Sequence, residues 1–136
     1  MPRVSGAPKT DARRPLVLIA EDDGAVRKMI VHLMQDFADV SSAADGMEAL
    51  VKLREMPRMP DLIITDLMMP RMDGLAFVKQ VRATDRGKQI PIIILTAKTR
   101  PMDVVTGINA GARHYLPKPF KQDELLEKVR SVLRLH

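Results

Sequence analysis

Short apolar runs alternate along the chain with stretches in which apolar residues recur every three or four positions. The short runs are typical of buried strands, and the wider spacing is typical of one face of a helix. The predicted strands span residues 16–20, 38–43, 61–65, 90–95 and 113–117. The predicted helices carry the apolar faces Val26, Ile30, Leu33 and Phe37; Met47, Leu50 and Leu53; Leu75, Val78 and Val81; and Leu125, Val129, Val132 and Leu133.

A further helix is predicted near residues 101–110, although its apolar pattern is weak. Gly107 interrupts this segment and few of its positions are strongly apolar, so its intrinsic helix stability is low. Elements that switch between two arrangements are drawn from the less stable parts of a fold. We therefore predict that this segment belongs to a switching surface.

Regular alternation of five strands with five helices predicts an α/β fold of the (βα)5 type. It is a doubly wound, five-stranded parallel sheet covered by helices on both faces. In such open sheets the carboxyl ends of the strands meet at one crevice, and ligands bind there. The polar residues delivered to that crevice are Glu21, Asp22 and Asp23 after the first strand, Asp66 after the third, Thr96 after the fourth and Lys118 after the fifth.

These residue types favour phosphate chemistry assisted by a metal ion. Carboxylates gathered at one crevice repel one another and favour a bound cation. Oxygen ligands without a nearby Cys or His suit a hard cation, above all Mg²⁺, which often binds phosphate oxygens as well. A carboxylate can attack phosphorus and form an aspartyl phosphate, whose charge a metal, an ammonium and a hydroxyl would balance. Asp23 fits a different role, the N-cap of the first helix.

Length and composition narrow the class of protein. The 136 residues suit a single domain with its own core, and no apolar stretch approaches the ~20 residues of a membrane helix. Cysteine is absent, which excludes disulfides, thiol catalysis and thiolate metal sites. We therefore expect a cytoplasmic protein that makes no membrane contact.

The basic pI of 9.8 arises mainly at the N-terminus. Residues 1–14 carry four basic side chains against Asp11, which is +3 of the total charge of +5. This leader has no apolar periodicity and is predicted to be disordered, whereas residues 15–136 are predicted to form the domain. Because the domain itself is nearly balanced in charge, it is not expected to bind nucleic acid directly.

The segment LIITDLMMPRMDG, residues 62–74, resembles the phosphoacceptor segment of response-regulator receiver domains of two-component signalling, the chemotaxis-regulator-like family. Glu21-Asp22, Thr96-Ala97 and Lys118-Pro119-Phe120 are similar to the family's other signatures, and the match covers about residues 15–136. The resemblance implies a flavodoxin-like fold with the strand order 2-1-3-4-5.

The same resemblance implies a role for each residue of the site. Asp66 accepts the phosphoryl group and ligates Mg²⁺, together with Asp22, with Glu21 through water, and with the backbone carbonyl of Met68. Lys118 pairs with Asp66 at rest and with the phosphoryl oxygens afterwards. The implied switch residues are Thr96, whose hydroxyl binds the phosphoryl group, and Tyr115, whose rotamer follows. The Lys118–Pro119 peptide bond is implied to be cis.

Two further expectations come from positions where family members vary. Met68 and Lys98, which modulate water attack in this family, are a bulky apolar group and a long cation, so we expect a long-lived phosphorylated form. The segment 111–114 carries basic and neutral residues where some members have acids for a salt-bridged dimer. A monomer is therefore expected without phosphate.

The leading hypothesis is a signalling module that catalyses only its own phosphorylation and slow autodephosphorylation, and is otherwise not an enzyme. Its phosphoryl donor would be a histidine kinase or a phosphotransfer protein, and its partner a downstream target or an output domain absent from this chain. A docking module of the same fold that works without phosphorylation is the alternative. A flavodoxin-type cofactor binder would need a hydroxyl-rich phosphate loop, and a phosphatase a second catalytic carboxylate.

Overall fold

The computed structural model describes residues 14–134 of the chain. Its strands are β1 (Leu16–Ala20), β2 (Asp39–Ala43), β3 (Leu62–Thr65), β4 (Ile92–Thr96) and β5 (His114–Pro117). Its helices are α1 (Gly24–Gln35), α2 (Gly46–Glu55), α3 (Gly74–Arg82), α4 (Pro101–Ala110) and α5 (Gln122–Leu133). None of the helices between residues 14 and 134 is long and apolar enough to cross a membrane.

The five strands form one parallel sheet in the order β2-β1-β3-β4-β5. This confirms the predicted doubly wound (βα)5 architecture and the strand order 2-1-3-4-5. β1 lies at the centre of the reversal, with Ala20 opposite Ala43 of β2 and Thr65 of β3. Residues that follow β1 and β3 therefore leave the sheet side by side, at the edge where ligands bind in folds of this type.

Helices cover both faces of the sheet and enclose two apolar cores. Helices α2 and α3 pack over a core that includes Leu18, Ile63 and Phe77, whereas α1 and α5 pack over one that includes Ile19 and Ile64. Every residue of β3 and β4 is buried. Because successive residues of a strand point to opposite faces, burial on both faces explains why these strands have uninterrupted apolar sequences.

The predicted starts of β2, β3 and β5 each lie one residue before the observed starts, and the predicted boundaries of two further elements differ by two residues. β4 begins at Ile92 because a short 3₁₀ helix, Arg86–Gln89, comes before it with Ile90 as its C-cap. The sequence of this helix, RGKQ, has no apolar pattern, and the helix was not predicted. Helix α1 ends at Gln35, so Phe37 follows the helix instead of belonging to its apolar face. The half-buried Phe37 ring packs beneath the guanidinium of Arg130, 5.7 Å from the ring centroid.

Residues 1–13 of the predicted leader lie outside the described residues. Arg14, which was assigned to the leader, contacts the domain. Its guanidinium donates hydrogen bonds to the carbonyl oxygens of Gln35 and Ala38, and it lies 3.2 Å from the Asp39 carboxylate. Arg14 is therefore attached to the domain between the end of α1 and the start of β2.

Helix α4 forms despite its weak apolar pattern. Pro101 stands in its first turn, where the missing backbone N–H has no partner to lose. Gly111 follows the helix with φ 121°, a conformation that favours glycine and ends the helix. Gly107 is buried near the middle, where it packs against β5.

Candidate functional site

The candidate site lies where β1 and β3 end next to each other. Beyond the last strand residues, the Asp66 amide donates to the Ala20 carbonyl at 3.0 Å, and the Glu21 amide donates to the Ala43 carbonyl at 3.0 Å. The backbone of Glu21 and of Asp66 is therefore held by sheet hydrogen bonds. Two carboxylates stand at the carboxyl edge of the sheet on rigid supports.

Three carboxylates converge at this edge. Ligand oxygens of Glu21, Asp22 and Asp66 all lie within 4.8 Å of one another. Glu21 is 1% exposed and Asp66 5% exposed, whereas Asp22 is open to solvent. Because like charges at this separation repel one another, the cluster favours a nearby cation.

Lys118 supplies one such cation from the loop after β5. Its Nζ lies 2.6 Å from Asp66 Oδ2 and 2.6 Å from Glu21 Oε1. The expected pairing of Lys118 with Asp66 is therefore present, and Glu21 shares it. The Lys118 amide donates to the Thr96 carbonyl at 2.9 Å, and the Lys118–Pro119 bond is cis, as the resemblance implied. Two of the three carboxylates, those of Glu21 and Asp66, share this ammonium, so negative charge is in excess in the cluster.

Burial and shared hydrogen bonds shift the pKa values of Glu21 and Lys118. Burial raises the pKa of Glu21 above its ordinary value, and hydrogen bonds from Lys118 and from the Asp23 amide offset this only in part. Burial lowers the pKa of Lys118, but its hydrogen bonds to Asp66 and Glu21 outweigh burial and leave the pKa raised. Lys118 is therefore a firmly protonated cation at neutral pH.

Asp66 is held on both carboxylate oxygens. Oδ2 binds Lys118, and Oδ1 accepts a hydrogen bond from the Met68 amide at 3.1 Å. The Met68 side chain is 54% exposed, so only its backbone belongs to the site. The backbone carbonyl of Met68 therefore belongs to the same short loop as Asp66.

Thr96 and Tyr115 lie at the other side of the crevice, and both form hydrogen bonds with the backbone of Lys98. Thr96 is fully buried at the end of β4, and its Oγ1 accepts a hydrogen bond from the Lys98 amide at 3.2 Å. The hydroxyl of the half-buried Tyr115 donates to the Lys98 carbonyl at 2.5 Å. The two predicted switch residues are therefore linked through the Lys98 backbone.

Asp23 takes the capping role that was predicted for it. Its Oδ1 accepts hydrogen bonds from the Ala25 and Val26 amides at 2.9 and 3.1 Å, which satisfies free donors at the start of α1. Asp23 is thereby separated in function from its neighbours Glu21 and Asp22. Of the three consecutive acids, two belong to the carboxylate cluster and one belongs to the helix.

Sequence reasoning missed two residues that support the site. A Cβ at Gly74 would lie 1.9 Å from the Asp66 carbonyl oxygen, so the loop can close against Asp66 only with glycine. Arg27 Nη1 donates to the Glu21 carbonyl at 2.8 Å and braces the acidic turn from α1. The spacing of Arg27, one helical turn beyond the acids, was the available signal for its role.

The sequence model of the response regulator receiver domain matches residues 17–130 of this chain. The chain is 40% identical over 125 residues to the DNA-binding response regulator MtrA of Mycobacterium tuberculosis, an alignment that covers 91% of this chain and 53% of that protein. The chain thus spans about half the length of the curated relatives that it matches.

Solved structures of similar fold agree with this match. The chemotaxis response regulator CheY4 of Vibrio cholerae has a TM-score of 0.81 at 39% identity, covering 88% of this chain and 99% of that chain. The receiver domain of the sensor histidine kinase PA1611 of Pseudomonas aeruginosa has a TM-score of 0.79 at 28% identity, covering 90% and 99%. That receiver domain has a magnesium ion coordinated in its active-site cleft.

Proposed function

Because this chain belongs to the response regulator receiver domain family of two-component signalling, we propose that Asp66 accepts a phosphoryl group from a histidine kinase or a phosphotransfer protein. The position of Asp66 carries this proposal. Its carboxylate is almost fully buried at the carboxyl edge of the sheet, 2.6 Å from the Lys118 ammonium and within 4.8 Å of two other carboxylates. A residue that served only to turn the chain would need neither contact.

The transfer step uses the carboxylate as the nucleophile. An Asp66 oxygen bonds to phosphorus, the bond from phosphorus to the donor's imidazole nitrogen breaks, and that electron pair stays on the nitrogen. Because the carboxylate attacks as an anion, no general base is needed. The Met68 amide and the Lys118 ammonium hold the two oxygens in place beforehand, which lowers the entropy lost at the transition state.

Mg²⁺ is the cofactor that we propose for this site, held by Glu21, Asp22, Asp66 and the Met68 carbonyl. The donor set supports this choice, because every candidate ligand is an oxygen and the three carboxylates outnumber the one ammonium. When bound, Mg²⁺ reduces the repulsion between the carboxylate and the incoming phosphoryl oxygens. Glu21, which already shares Lys118, is the member best placed to bind through water.

Lys118 and Thr96 complete the proposed chemistry. Once Asp66 carries the phosphoryl group, the Lys118 ammonium pairs with phosphoryl oxygens in place of the carboxylate. The Thr96 Oγ1 accepts from the Lys98 amide at rest, so its own proton is still available to donate to the phosphoryl group. Both groups therefore respond directly to the arrival of phosphate.

The output of this change is a shift in the surface formed by α4, β5 and α5. Movement of Thr96 toward the phosphoryl group displaces the Lys98 backbone and thereby the acceptor of the Tyr115 hydroxyl. Exposed apolar residues on α4, with Met102 at 72% exposure, offer a contact for a partner. Phosphorylation would shift the population between two arrangements of this surface.

In the cell, this chain catalyses only its own phosphorylation and slow autodephosphorylation. We place it in the cytoplasm, where kinases that use ATP act. Its output goes to a downstream protein target or to an output domain. The domain itself binds neither nucleic acid nor membrane, and it is a monomer before phosphorylation. Sedimentation of the unphosphorylated chain tests the last point, since a stable dimer through the segment 111–114 would contradict it.

Intact mass spectrometry after incubation with acetyl phosphate and Mg²⁺ tests the proposal. Wild type should gain one phosphoryl group, Asp66→Asn should gain none, and withholding Mg²⁺ should abolish the gain. Asp61→Asn is the matched control, because Asp61 is an exposed carboxylate at the opposite end of β3. If neither acetyl phosphate nor a phosphohistidine donor labels wild type, the phosphorylation-independent docking module becomes the better account.

A further inference from the structure

The loop between β3 and α3 is tied at its tip to the start of α2 by a charged pair that the proposed chemistry does not use. Arg71 Nε and Nη2 lie 2.9 and 2.8 Å from Asp45 Oδ2. Beside them, the Gly46 amide donates to the Met72 carbonyl at 3.0 Å. The loop that begins at Asp66 is therefore fastened to a neighbouring helix.

Asp45 is a fixed anchor for this tie. It is the N-cap of α2, and its Oδ1 accepts a hydrogen bond from the Glu48 amide at 2.8 Å. Its Oδ2 contacts Nε and Nη2 of Arg71. Asp45 is only 6% exposed. With both oxygens engaged and solvent excluded, its carboxylate is held in one orientation.

Arg71 adopts a backbone conformation that is unfavourable for arginine. Its φ is 64°, in the left-handed region that side chains with a Cβ avoid. The Met72 amide donates to the Pro70 carbonyl at 2.7 Å and closes a tight turn around it. Such conformations persist where surrounding contacts impose them, and they concentrate at functional sites. Glycine would fit the backbone better but could not reach Asp45.

Close backbone packing accompanies the charged pair. A Cβ at Gly46 would lie 2.6 Å from the Met72 carbonyl oxygen, so the first residue of α2 must be glycine for the loop to dock. At its base the same loop is closed by the Gly74 amide, which donates to the Leu67 carbonyl at 2.9 Å. The Arg71–Asp45 pair therefore fixes the tip of the loop, which the hydrogen bond at the base of the loop does not hold.

Met68 lies between these two fixed points, three residues before Arg71. Its amide holds Asp66 Oδ1, and its carbonyl is a proposed ligand of Mg²⁺. Because Mg²⁺ demands near-octahedral geometry at short distances, a small displacement of this carbonyl weakens binding. A loop that is already ordered before Mg²⁺ binds therefore increases the affinity of the site for Mg²⁺.

We propose that Asp45 and Arg71 are positioning residues that hold the loop 67–73 in the geometry required for Mg²⁺ binding beside Asp66. This inference rests on the proposed magnesium site. The Asp45–Arg71 pair differs in this respect from an ordinary exposed ion pair, which would add little to stability and nothing to metal affinity. The strained turn at Arg71 is kept because the anchored loop needs its guanidinium on Asp45.

The sign of the effect of Arg71 on Mg²⁺ affinity separates positioning from simple electrostatics. Removing a cation near an acidic site would tighten Mg²⁺ binding through Coulomb attraction alone. Loss of positioning predicts the opposite, because the dissociation constant for Mg²⁺ should rise by roughly tenfold. This is the lower end of what is lost when a residue that supports a metal ligand is removed. Relief of the strained φ should meanwhile raise the melting temperature of Arg71→Gly, or at least leave it unchanged.

The experiment is a titration of the full chain with MgCl₂, followed by the amide NMR shifts of Asp22, Asp66 and Met68. The variants are Arg71→Gly and Arg71→Asn, because asparagine tolerates the left-handed region without the flexibility of glycine. Arg58→Gln is the matched control, since it breaks a different arginine–aspartate pair, with the exposed Asp61 at the far edge of the sheet. Melting curves without Mg²⁺ report stability independently.

Weaker Mg²⁺ binding in both Arg71 variants, with wild-type binding in the control and no loss of melting temperature, supports the inference. Equal or tighter binding in either Arg71 variant overturns it while leaving the magnesium site intact. If wild type itself shows no Mg²⁺-dependent shifts, the proposed magnesium site is wrong, and the positioning role fails with it. The two failures are therefore distinguishable in one series of titrations.

Discussion

Gly107 in α4 lies directly against the ring of Tyr115 in β5. A Cβ at position 107 would stand 2.8 Å from Tyr115 Cε2 and 3.1 Å from Ile94 Cδ1, closer than packed atoms approach. The glycine that weakens α4 is therefore the residue that lets the helix pack closely against Tyr115, the proposed switch residue. Low helix stability and close packing at the proposed switch have a single cause.

Gly107→Ala should move Tyr115 while changing stability little. Alanine favours the helix by about 1 kcal/mol, but it must push the half-buried ring outward, away from the Lys98 carbonyl that its hydroxyl binds. We expect a net change in the free energy of unfolding below about 1 kcal/mol. Because the chain has one tyrosine and no tryptophan, intrinsic fluorescence reports Tyr115 alone and should change clearly. An unchanged spectrum would show that the ring accommodates the methyl group in place.

Lys118→Met should destabilise the resting domain. It leaves Glu21 and Asp66 buried beside each other without their shared cation. We expect a loss of about 3 kcal/mol in the free energy of unfolding at pH 7, near the lower end for breaking a buried pair. The loss should shrink on acidification, since protonation removes the repulsion, and on addition of Mg²⁺. Denaturant titrations measure it, with Lys88→Met, which breaks an exposed pair, as the control.

The strands and the carboxylate site could be predicted because their causes are local or follow from one topological rule. β3 and β4 are buried on both faces, so their sequences are continuous apolar runs. Asp66 ends one such run and Glu21 ends another. Parallel strands finish at a common edge, so both acids were expected at one crevice, and the strand order that the resemblance implied makes β1 and β3 neighbours there.

The supporting contacts could not be predicted, because they depend on how separate elements dock. The approach of Gly107 to Tyr115 depends on the angle at which α4 lies on β5, and a glycine in a helix pattern reads only as a weak position. The Asp45–Arg71 pair joins residues 26 positions apart across a helix and a strand. Asp45-Gly46, just before the apolar face of α2, is a typical signal for the start of a helix, but the sequence gives no sign that Arg71 is a second partner of Asp45.

Asp45→Asn should reduce stability at neutral pH and flatten its dependence on acid. The hydrogen bond from the Glu48 amide, with help from Arg71, holds the pKa of Asp45 below its ordinary value of 3.8. The stabilisation linked to this lowered pKa is present above 3.8 and is lost as pH falls through the lower folded-state value. Asparagine keeps the cap, so we expect a loss of about 1 kcal/mol near pH 7. Unfolding curves of the two proteins should converge below pH 3.8, and a constant difference would contradict this.

Thr96→Ala should accept phosphate but fail to pass the change to Tyr115. The Thr96 hydroxyl is the proposed link between the phosphoryl group and the Lys98 backbone, which binds the Tyr115 hydroxyl. After acetyl phosphate treatment, intact mass should show the phosphoryl group on the variant, while its tyrosine fluorescence stays at the resting value. Thr96→Ser retains the hydroxyl and should restore the fluorescence change. A full change in the alanine variant would mean that the signal travels by another route.

The phosphorylated form should be long-lived because neither residue beside the site orients water. Met68 is bulky and apolar, and Lys98 is a long, exposed cation. Met68→Asn places an amide that can hold a water molecule near phosphorus, and we expect it to shorten the phosphoryl lifetime by about tenfold, a modest fraction of what a well-placed proton acceptor supplies. Loss of the phosphoryl mass is followed over time with Mg²⁺ present and the donor removed. Met102→Asn is the matched control, an exposed methionine on α4 whose replacement should leave the lifetime unchanged. Wild type that loses its label as fast as Met68→Asn would show that water reaches phosphorus without help from position 68.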